Sequence, residues 1–259
     1  MSVHPNAALV RTVKILECFS NEPRELGVRE VARRTGLSSS ATGRLMLSMK
    51  ELGILSQNPI TKDYSLGSRL LTWAGAFLAN CDIRNVAYPY LLELHARTRE
   101  TISLYILDGN ERVCIERLES THNVRFVAPR VGRHLPLHAG SAGKVLLAFL
   151  PVQRREAILR NEPLESLTEK TLVDPDQIRR EIEKIRELGY AISHGEWILE
   201  ASGIAAPVFN QNGEVVAAVT ISGPTQRFPE EKMQEYAQLL MEVTDRISRD
   251  LGYQRPLIR

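Results

Sequence analysis

The sequence predicts an α+β protein in two parts, an N-terminal winged helix-turn-helix and a larger domain in which helices cover an antiparallel sheet. Three observations carry this prediction. Residues 28–52 have helical apolar spacing, interrupted by Gly36 and a run of serines. From residue 101 onward the apolar period changes to alternation, as in the segment TISLYIL. Amphipathic helical segments return between and after the alternating segments, which is typical of an α+β domain.

A chain of 259 residues is long enough for two domains. We assign residues 1–66 to the winged helix-turn-helix, residues 67–81 to a linker helix and residues 82–259 to the larger domain. Residues 1–81 hold 10 Lys and Arg against 6 Asp and Glu, whereas the remainder is slightly acidic. A basic excess on the helix-turn-helix segment is the electrostatic pattern of DNA binding.

The cysteines and the lengths of the apolar runs indicate the cellular compartment of the protein. Cys18, Cys81 and Cys114 are isolated and odd in number, which favours buried apolar roles in a reducing cytosol. The early HPN sequence interrupts any apolar run, so we expect no signal peptide. Since no apolar run approaches ~20 residues, we also expect no membrane span and predict a cytoplasmic protein.

The N-terminal helices follow from local signals. Asn6 is predicted to cap a helix that packs beneath the helix-turn-helix through Leu9, Val13, Leu16 and Phe19. A helix over residues 28–35 ends at Gly36, because glycine tolerates the left-handed turn. Ser38 or Ser39 caps the next helix, which runs to about residue 52. We expect its inward face to carry Ala41, Leu45, Met49 and Leu52, and residues 54–57 and 63–66 to form the wing.

The outer face of this second helix suggests DNA contacts. Hydroxyl residues at a helix N-terminus let backbone amides approach phosphate, and Arg44 can reach a guanine edge with two hydrogen bonds. The candidate DNA-binding residues are Arg29, Arg33, Ser38, Ser39, Ser40, Thr42, Arg44, Lys50 and Lys62. A solvated surface helix is the alternative interpretation of this face alone.

Residues 67–80 form a predicted helix that is apolar nearly all round, through Leu70, Leu71, Trp73, Ala74, Phe77 and Leu78. We interpret it as a surface that packs against a partner subunit. Burial against the second domain of the same chain is the alternative, and the sequence leaves it open.

The larger domain alternates helices and strands. We predict strands over residues 101–107, 112–118, 124–128, 190–194, 202–209 and 214–222, with turns at residues 108–110 and 210–213. The predicted helices cover residues 83–99, 140–150, 153–160, 174–188 and 229–251.

Several segments together resemble the IclR family of bacterial transcriptional regulators. They include VRTVKILECF (10–19), EVARRTGLSSSATGRLMLSMKELGIL (30–55), LPLHAGSAGKVLLA (135–148) and SGIAAPVFNQNGEVVAAVTISGP (202–224). The resemblance implies a winged helix-turn-helix, a linker helix and an effector-binding domain with a GAF-like fold. It also implies homodimers, which can pair into tetramers, on palindromic operator DNA. We therefore predict a repressor of catabolic genes that responds to a small carboxylate.

The same resemblance implies an effector pocket. The segment HAGSAGK (138–144) opens a helix whose first-turn amides can hold a carboxylate. Carried over by position, the lining is Val124, Val127, Leu135, Ser141, Ala142, Ser193, Ala201, Gly203, Thr220 and Ser222. Small residues at positions 193, 201 and 203 predict a roomy pocket for an acid of more than three carbons, for example an aromatic carboxylate. Gly43 departs from the family pattern, and we interpret it as allowing close approach to the DNA backbone.

Other chemistry has weaker support. Ser141 and Lys144 match a serine–lysine hydrolase pattern, so a serine hydrolase is the alternative function, although the downstream motifs are absent. A phosphate loop fails at His138 and Val145. The six histidines show no metal-ligand spacing, and we predict no catalytic residue, metal or cofactor. A sensor whose partner is a protein is a second non-enzymatic alternative.

Overall fold

The computed structural model describes residues 5–19, 25–123 and 130–254. The chain divides into two compact units, Met1–Asn80 and Cys81–Arg259. Across the part of the chain that the structure describes, each helix is too short or too polar to cross a lipid bilayer. The strand predicted at residues 124–128 lies outside the described residues.

The described residues of the first unit form four helices and one hairpin. Its elements are α1 (Ala7–Glu17), α2 (Val28–Thr35), α3 (Ser39–Glu51), β1 (Leu55–Gln57), β2 (Tyr64–Leu66) and α4 (Arg69–Ala79). The two strands pair antiparallel and form the wing. Helices α1 to α3 and the wing share an apolar core of Ile15, Phe19, Leu26, Val31, Met46, Met49, Leu55 and Tyr64. The predicted winged helix-turn-helix is confirmed.

Short-range caps define the helix ends. The Asn6 side chain accepts a hydrogen bond from the Ala8 amide at 2.8 Å, as predicted. Gly36 has a φ of 71°, so the residue after α2 adopts the left-handed conformation that glycine tolerates. Of the two predicted caps of α3, the structure uses Ser38, whose hydroxyl accepts from the Ala41 amide at 3.3 Å.

The inward face of α3 differs from the predicted one. Its buried residues are Thr42, Met46 and Met49, whereas Leu52 is 53% exposed. A buried hydroxyl is tolerated when it is hydrogen-bonded, and Thr42 donates to the Ser38 carbonyl at 3.0 Å. The prediction placed only apolar residues on the core face of α3. The residues that are buried are shifted by about one position along the helix from the predicted ones.

Apolar side chains remain exposed on α1 and α4. None of the described residues of α4 is buried, and Trp73 and Phe77 are 52% and 56% exposed. Leu9 and Val13 of α1 were expected in the core, but they are exposed because the helix packs through Ile15. Both helices therefore present unpartnered apolar surface.

The second unit is built on a six-stranded sheet with the strand order β5-β4-β3-β8-β7-β6, in which all neighbours pair antiparallel. The strands are β3 (Thr101–Asp108), β4 (Glu111–Leu118), β5 (His134–Pro136), β6 (Ala191–His194), β7 (Ala201–Phe209) and β8 (Val215–Pro224). Glycines with positive φ, Gly109 and Gly213, lie in the β3–β4 and β7–β8 turns, as the turn sequences predict. Strand β5 was not predicted.

Helices cover both faces of this sheet. They are α5 (Asp82–Thr98), α6 (Gly140–Phe149), α7 (Val152–Asn161), α8 (Pro175–Leu188) and α9 (Glu230–Asp250). Helix α6 contacts β6, β7, β8 and α8, whereas α9 contacts β7, β8 and α5. Because residues 202–208 of β7 are all buried and side chains alternate between faces, neither face of that strand is solvated. The predicted α+β sheet domain is confirmed.

Candidate functional site

The outer surface of the first unit carries most of the predicted DNA-binding side chains. The exposed residues of that set are Arg29, Arg33, Ser38, Ser39, Ser40, Arg44 and Lys62, and Lys50 is half-buried. With Ser38 acting as the cap, Ser39 and Ser40 occupy the exposed first turn of α3. Amides of a first helical turn lack partners within the helix, and the helix dipole is positive there. This end of α3 therefore suits a phosphate oxygen.

The cations of this surface differ in how far they are neutralised. Arg33 and Arg34 both donate to the carboxylate of Glu30, with Arg33 Nη2 and Arg34 Nε each 2.6 Å from Oε1. Hydrogen bonds from the two guanidinium groups, Arg33 first, lower the pKa of Glu30 to about 2. Neither Arg29 nor Arg44 forms an ion pair with any described residue. Among the described residues of this face, Arg29 and Arg44 are therefore arginines without an ion-pair partner.

Two sequence interpretations of α3 need correction. Thr42 is fully buried and donates to the Ser38 carbonyl, so it cannot contact DNA from this helix. A methyl group at Gly43 would lie 3.5 Å from Val28 Cγ1, at ordinary contact distance. Position 43 therefore faces α2, and the interpretation as a close approach to the DNA backbone is wrong.

The second unit contains a cavity between the sheet and the start of α6. Its volume is about 80 Å³, and its walls come from β3, β4, β6, β7, β8, the first turn of α6 and the segment before β7. Gly203 keeps this space open, because a Cβ there would lie 3.3 Å from Ser222 Cβ and 3.4 Å from Ser141 Oγ.

The cavity brings together most of the predicted effector residues. Its walls include Ser141, Ala142, Ser193, Ala201, Gly203, Thr220 and Ser222. Leu135 does not line it and packs in the apolar cluster beneath α6 instead, because its strand turns that side chain into the core. Val124 and Val127 lie outside the described residues. The Thr220 hydroxyl points to the Ser103 carbonyl at 3.5 Å, a long contact that leaves it available to a ligand.

The cavity also has walls that the sequence analysis missed, namely Tyr105, Arg112, Gly140, Trp197, Ile198 and Ser202. A signal existed for Arg112, since alternation places it on the same face of β4 as the buried Cys114. Trp197 lies in a loop, where residue spacing does not indicate which way a side chain points. The Arg133 guanidinium lies 5.2 Å from the centre of the Trp197 ring.

Comparison with known proteins identifies both units. Residues 75–249 match the family model for the bacterial transcriptional regulator IclR C-terminal domain, and residues 8–59 match the IclR helix-turn-helix domain. The chain belongs to the IclR family. The predicted resemblance is confirmed, and the chain is a DNA-binding transcriptional regulator rather than an enzyme.

Relatives and solved structures match over nearly the whole chain. The transcriptional regulator KdgR of Escherichia coli K12 is 34% identical over 247 residues, which cover 95% of this chain and 93% of KdgR. The repressor AllR of the same strain is 32% identical over 245 residues, covering 95% and 90%. An IclR homolog from Microbacterium hydrocarbonoxydans, crystallised with 4-hydroxybenzoate, superposes with a TM-score of 0.80 at 32% identity, covering 95% and 99%.

The alternative serine hydrolase is wrong for this IclR-family chain, and the geometry shows why. Lys144 is 2% exposed, and its ammonium donates to Glu196 Oε1 at 2.6 Å, to the Ile192 carbonyl at 2.7 Å and to Glu181 Oε1 at 3.1 Å. All three ammonium hydrogens are therefore engaged. A lysine held this way cannot take a proton from Ser141, and its role is structural.

We expect replacement of Lys144 by Met to lower the free energy of unfolding by about 3–5 kcal/mol, because it leaves the Glu196 carboxylate buried without its cation. Urea unfolding of the full chain, followed by circular dichroism, measures the loss. Lys184 of α8 is exposed, so Lys184→Met is the control and should stay within about 0.5 kcal/mol of the wild type. Equal losses in the two variants would contradict the structural role.

Proposed function

We propose that this IclR-family chain represses catabolic genes by binding a palindromic operator, and that a small organic acid modulates this binding. Residues 1–66 are the DNA-binding domain, residues 67–81 the linker helix and residues 82–259 a GAF-like effector-binding domain. The observation that carries the proposal is the exposed basic face of α2 and α3 beside the wing. Relatives with repressor in their names, such as AllR, support the direction of control.

In this proposal α3 lies in the major groove. Arg44, exposed and without an ion pair to a described residue, reads a guanine edge, whereas Ser39 and Ser40 approach a phosphate with the first-turn amides. The other phosphate contacts come from Arg29, Arg33, Ser38, Lys50 and Lys62. Arg33 must exchange the Glu30 carboxylate for a phosphate, so its net gain on binding is smaller than that of Arg29.

We expect Arg44→Ala to weaken operator binding by about 1–3 kcal/mol and to relax the preference at one base position. Footprinting on the upstream region of the protein's own gene locates the operator, and gel shifts over a salt series give the affinities. Half-sites about one DNA turn, ~10 bp, apart are the expected geometry for a dimer.

The control for this prediction is Arg160→Ala, because Arg160 is an exposed arginine of the second unit. It should leave the operator affinity unchanged. No retardation of any DNA at low salt, or full retardation by Arg44→Ala with unchanged base preference, would contradict the proposal.

The effector is proposed to be an organic acid held in the cavity beside α6. Hydroxyl groups of Ser141, Ser193 and Ser222 line the cavity together with Trp197 and Tyr105. The aromatic walls favour an acid with a flat apolar part, and a relative of known structure holds 4-hydroxybenzoate. The cavity volume of about 80 Å³ is smaller than the ~150 Å³ of a cavity that takes benzene, so the small residues at positions 193, 201 and 203 do not make the roomy pocket that they predicted. Binding of an aromatic acid therefore requires the pocket to widen.

We expect titration calorimetry to show tighter binding of 4-hydroxybenzoate than of pyruvate or glyoxylate, because the aromatic walls gain apolar contact with a ring. Gly203→Ala adds a methyl between Ser222 and Ser141 and should weaken 4-hydroxybenzoate more than pyruvate. Binding of pyruvate or glyoxylate without any binding of aromatic acids would show that the proposed size of the effector is wrong.

A homodimer, which can pair into a dimer of dimers, is proposed as the DNA-binding form. Its support is the unpartnered apolar surface of the linker helix, where Leu71, Trp73 and Phe77 are 75%, 52% and 56% exposed. A palindromic operator also requires two copies of the helix-turn-helix. We further propose a cytoplasmic location, since the regulator must meet chromosomal DNA.

We expect Trp73→Glu to dissociate the dimer, because a charge placed in an apolar interface loses hydration without gaining a partner. Size-exclusion chromatography with light scattering measures the mass at micromolar concentration. Val152→Glu, at a 59% exposed apolar position of the second unit, is the control and should leave the dimer intact. A monomeric wild type, or a Trp73→Glu variant that is still dimeric, would refute this assembly.

A further inference from the structure

The effector cavity has one cation in its wall that no described residue neutralises. Arg112 of β4 is 3% exposed and lines the cavity. Its Nη1 donates to the Pro136 carbonyl, and its guanidinium carbon lies 5.6 Å from the centre of the Tyr105 ring. Its Nε is buried without a hydrogen-bond partner. A buried guanidinium that keeps an unsatisfied donor costs free energy until an acceptor reaches it.

The carboxylate of Glu196 acts on Arg112 through its charge, but both of its oxygens already accept hydrogen bonds from other groups. Oε1 accepts from Lys144 Nζ at 2.6 Å, and Oε2 accepts from the Gly140 amide at 2.9 Å. No ion pair joins Arg112 to an acidic residue in the described part of the chain. Burial lowers the pKa of Arg112 to about 10, so the group stays protonated at neutral pH.

The first turn of α6 packs directly on this guanidinium. A Cβ at Gly143 would overlap Arg112 Nη1 and would lie 2.6 Å from the Leu137 carbonyl oxygen, and one at Gly140 would lie 3.2 Å from Nη2. Glycine at both positions permits this approach. The start of α6, whose first amide is already capped by Glu196, and a buried cation without an ion-pair partner among the described residues therefore lie at one cavity.

We propose that Arg112 is the specificity-determining residue of the cavity, which makes it select a monocarboxylate over the neutral amide of the same shape. The carboxylate lies in the cavity beside the guanidinium and the first turn of α6, where it compensates the buried positive charge of Arg112. This inference rests on the proposed effector function and adds the residue that reads the ligand's charge. Without Arg112 the cavity would keep its hydroxyl groups, which bind amides and acids alike, and the start of α6, whose dipole gives an anion a smaller advantage than a full buried charge does.

The test compares matched acids and amides on the full-length protein. The probes are acetate, pyruvate, benzoate and 4-hydroxybenzoate, with acetamide, benzamide and 4-hydroxybenzamide as neutral counterparts and sodium chloride at equal ionic strength. Thermal unfolding and titration calorimetry are the readouts. We expect at least one carboxylate to stabilise the wild type while its amide does not. Arg112→Met should weaken that carboxylate roughly 10- to 100-fold, the value of a hydrogen bond to a charged group.

Arg155→Met is the matched control. Arg155 is also a buried arginine with an unpartnered Nε and one hydrogen bond to a backbone carbonyl, that of Ala148 at 3.2 Å, but it does not line the cavity. This variant should keep the full carboxylate effect even where its melting temperature falls. A second variant, Arg112→Gln, replaces Arg112→Met if the latter does not fold.

The proposal is overturned if no carboxylate of the series stabilises the wild type, if acids and amides act equally, or if Arg112→Met retains the wild-type affinity. Failure of both Arg112 variants to fold would assign this residue to the core and would also overturn it. None of these readouts involves DNA. If the protein selects acids over amides but retards no DNA, the proposed regulatory function is wrong, whereas the inference about Arg112 still holds.

Discussion

The ion pair between Lys144 and Glu196 holds the start of α6 in place, and the cavity beside that helix depends on it. One carboxylate oxygen of Glu196 binds the lysine, and the other accepts from the amide of Gly140. A single side chain from the segment between β6 and β7 therefore anchors both the body and the first residue of the helix. Since residues 140–148 are all buried, the helix has no solvent-exposed side along which it could shift. Ser141 and Ala142 reach the cavity wall as a result.

The two units use the same property of helix N-termini in different surroundings. Helix α3 is capped locally by Ser38, so its first turn stays exposed to solvent. Helix α6 has no local side-chain cap and takes its first acceptor from Glu196, which lies 56 residues away in the chain. In both cases unsatisfied amides and the helix dipole favour an anion. The exposed end suits the phosphate of a large polymer, whereas the enclosed end suits a small acid.

Much of the architecture follows from signals that extend over only a few residues. The cap at Ser38, the left-handed Gly36 and the turn glycines Gly109 and Gly213 act through their own backbone neighbours, and the structure uses each of them as predicted. The change of apolar period at residue 101 marks the sheet for the same reason, because side-chain alternation is a local property of a strand. Seven of the ten residues predicted for the pocket line the cavity; these positions came from whole-family resemblance rather than spacing.

The sequence alone was sufficient for the order of elements, the family and the basic outer face of α3, since these depend on local patterns and on matching segments. Packing between distant residues decided the rest. Thr42, and not the predicted Leu52, lies on the buried face of α3, because a hydrogen-bonded hydroxyl can occupy a core position that residue spacing assigns to an apolar side chain. Arg112 came to lie against Gly143, and this placement depends on the pairing of β4 with β5 and on the position of α6. Alternation places Arg112 on the same face of β4 as Cys114, but only the folded structure reveals that this face meets α6 and that the cavity contains a buried cation.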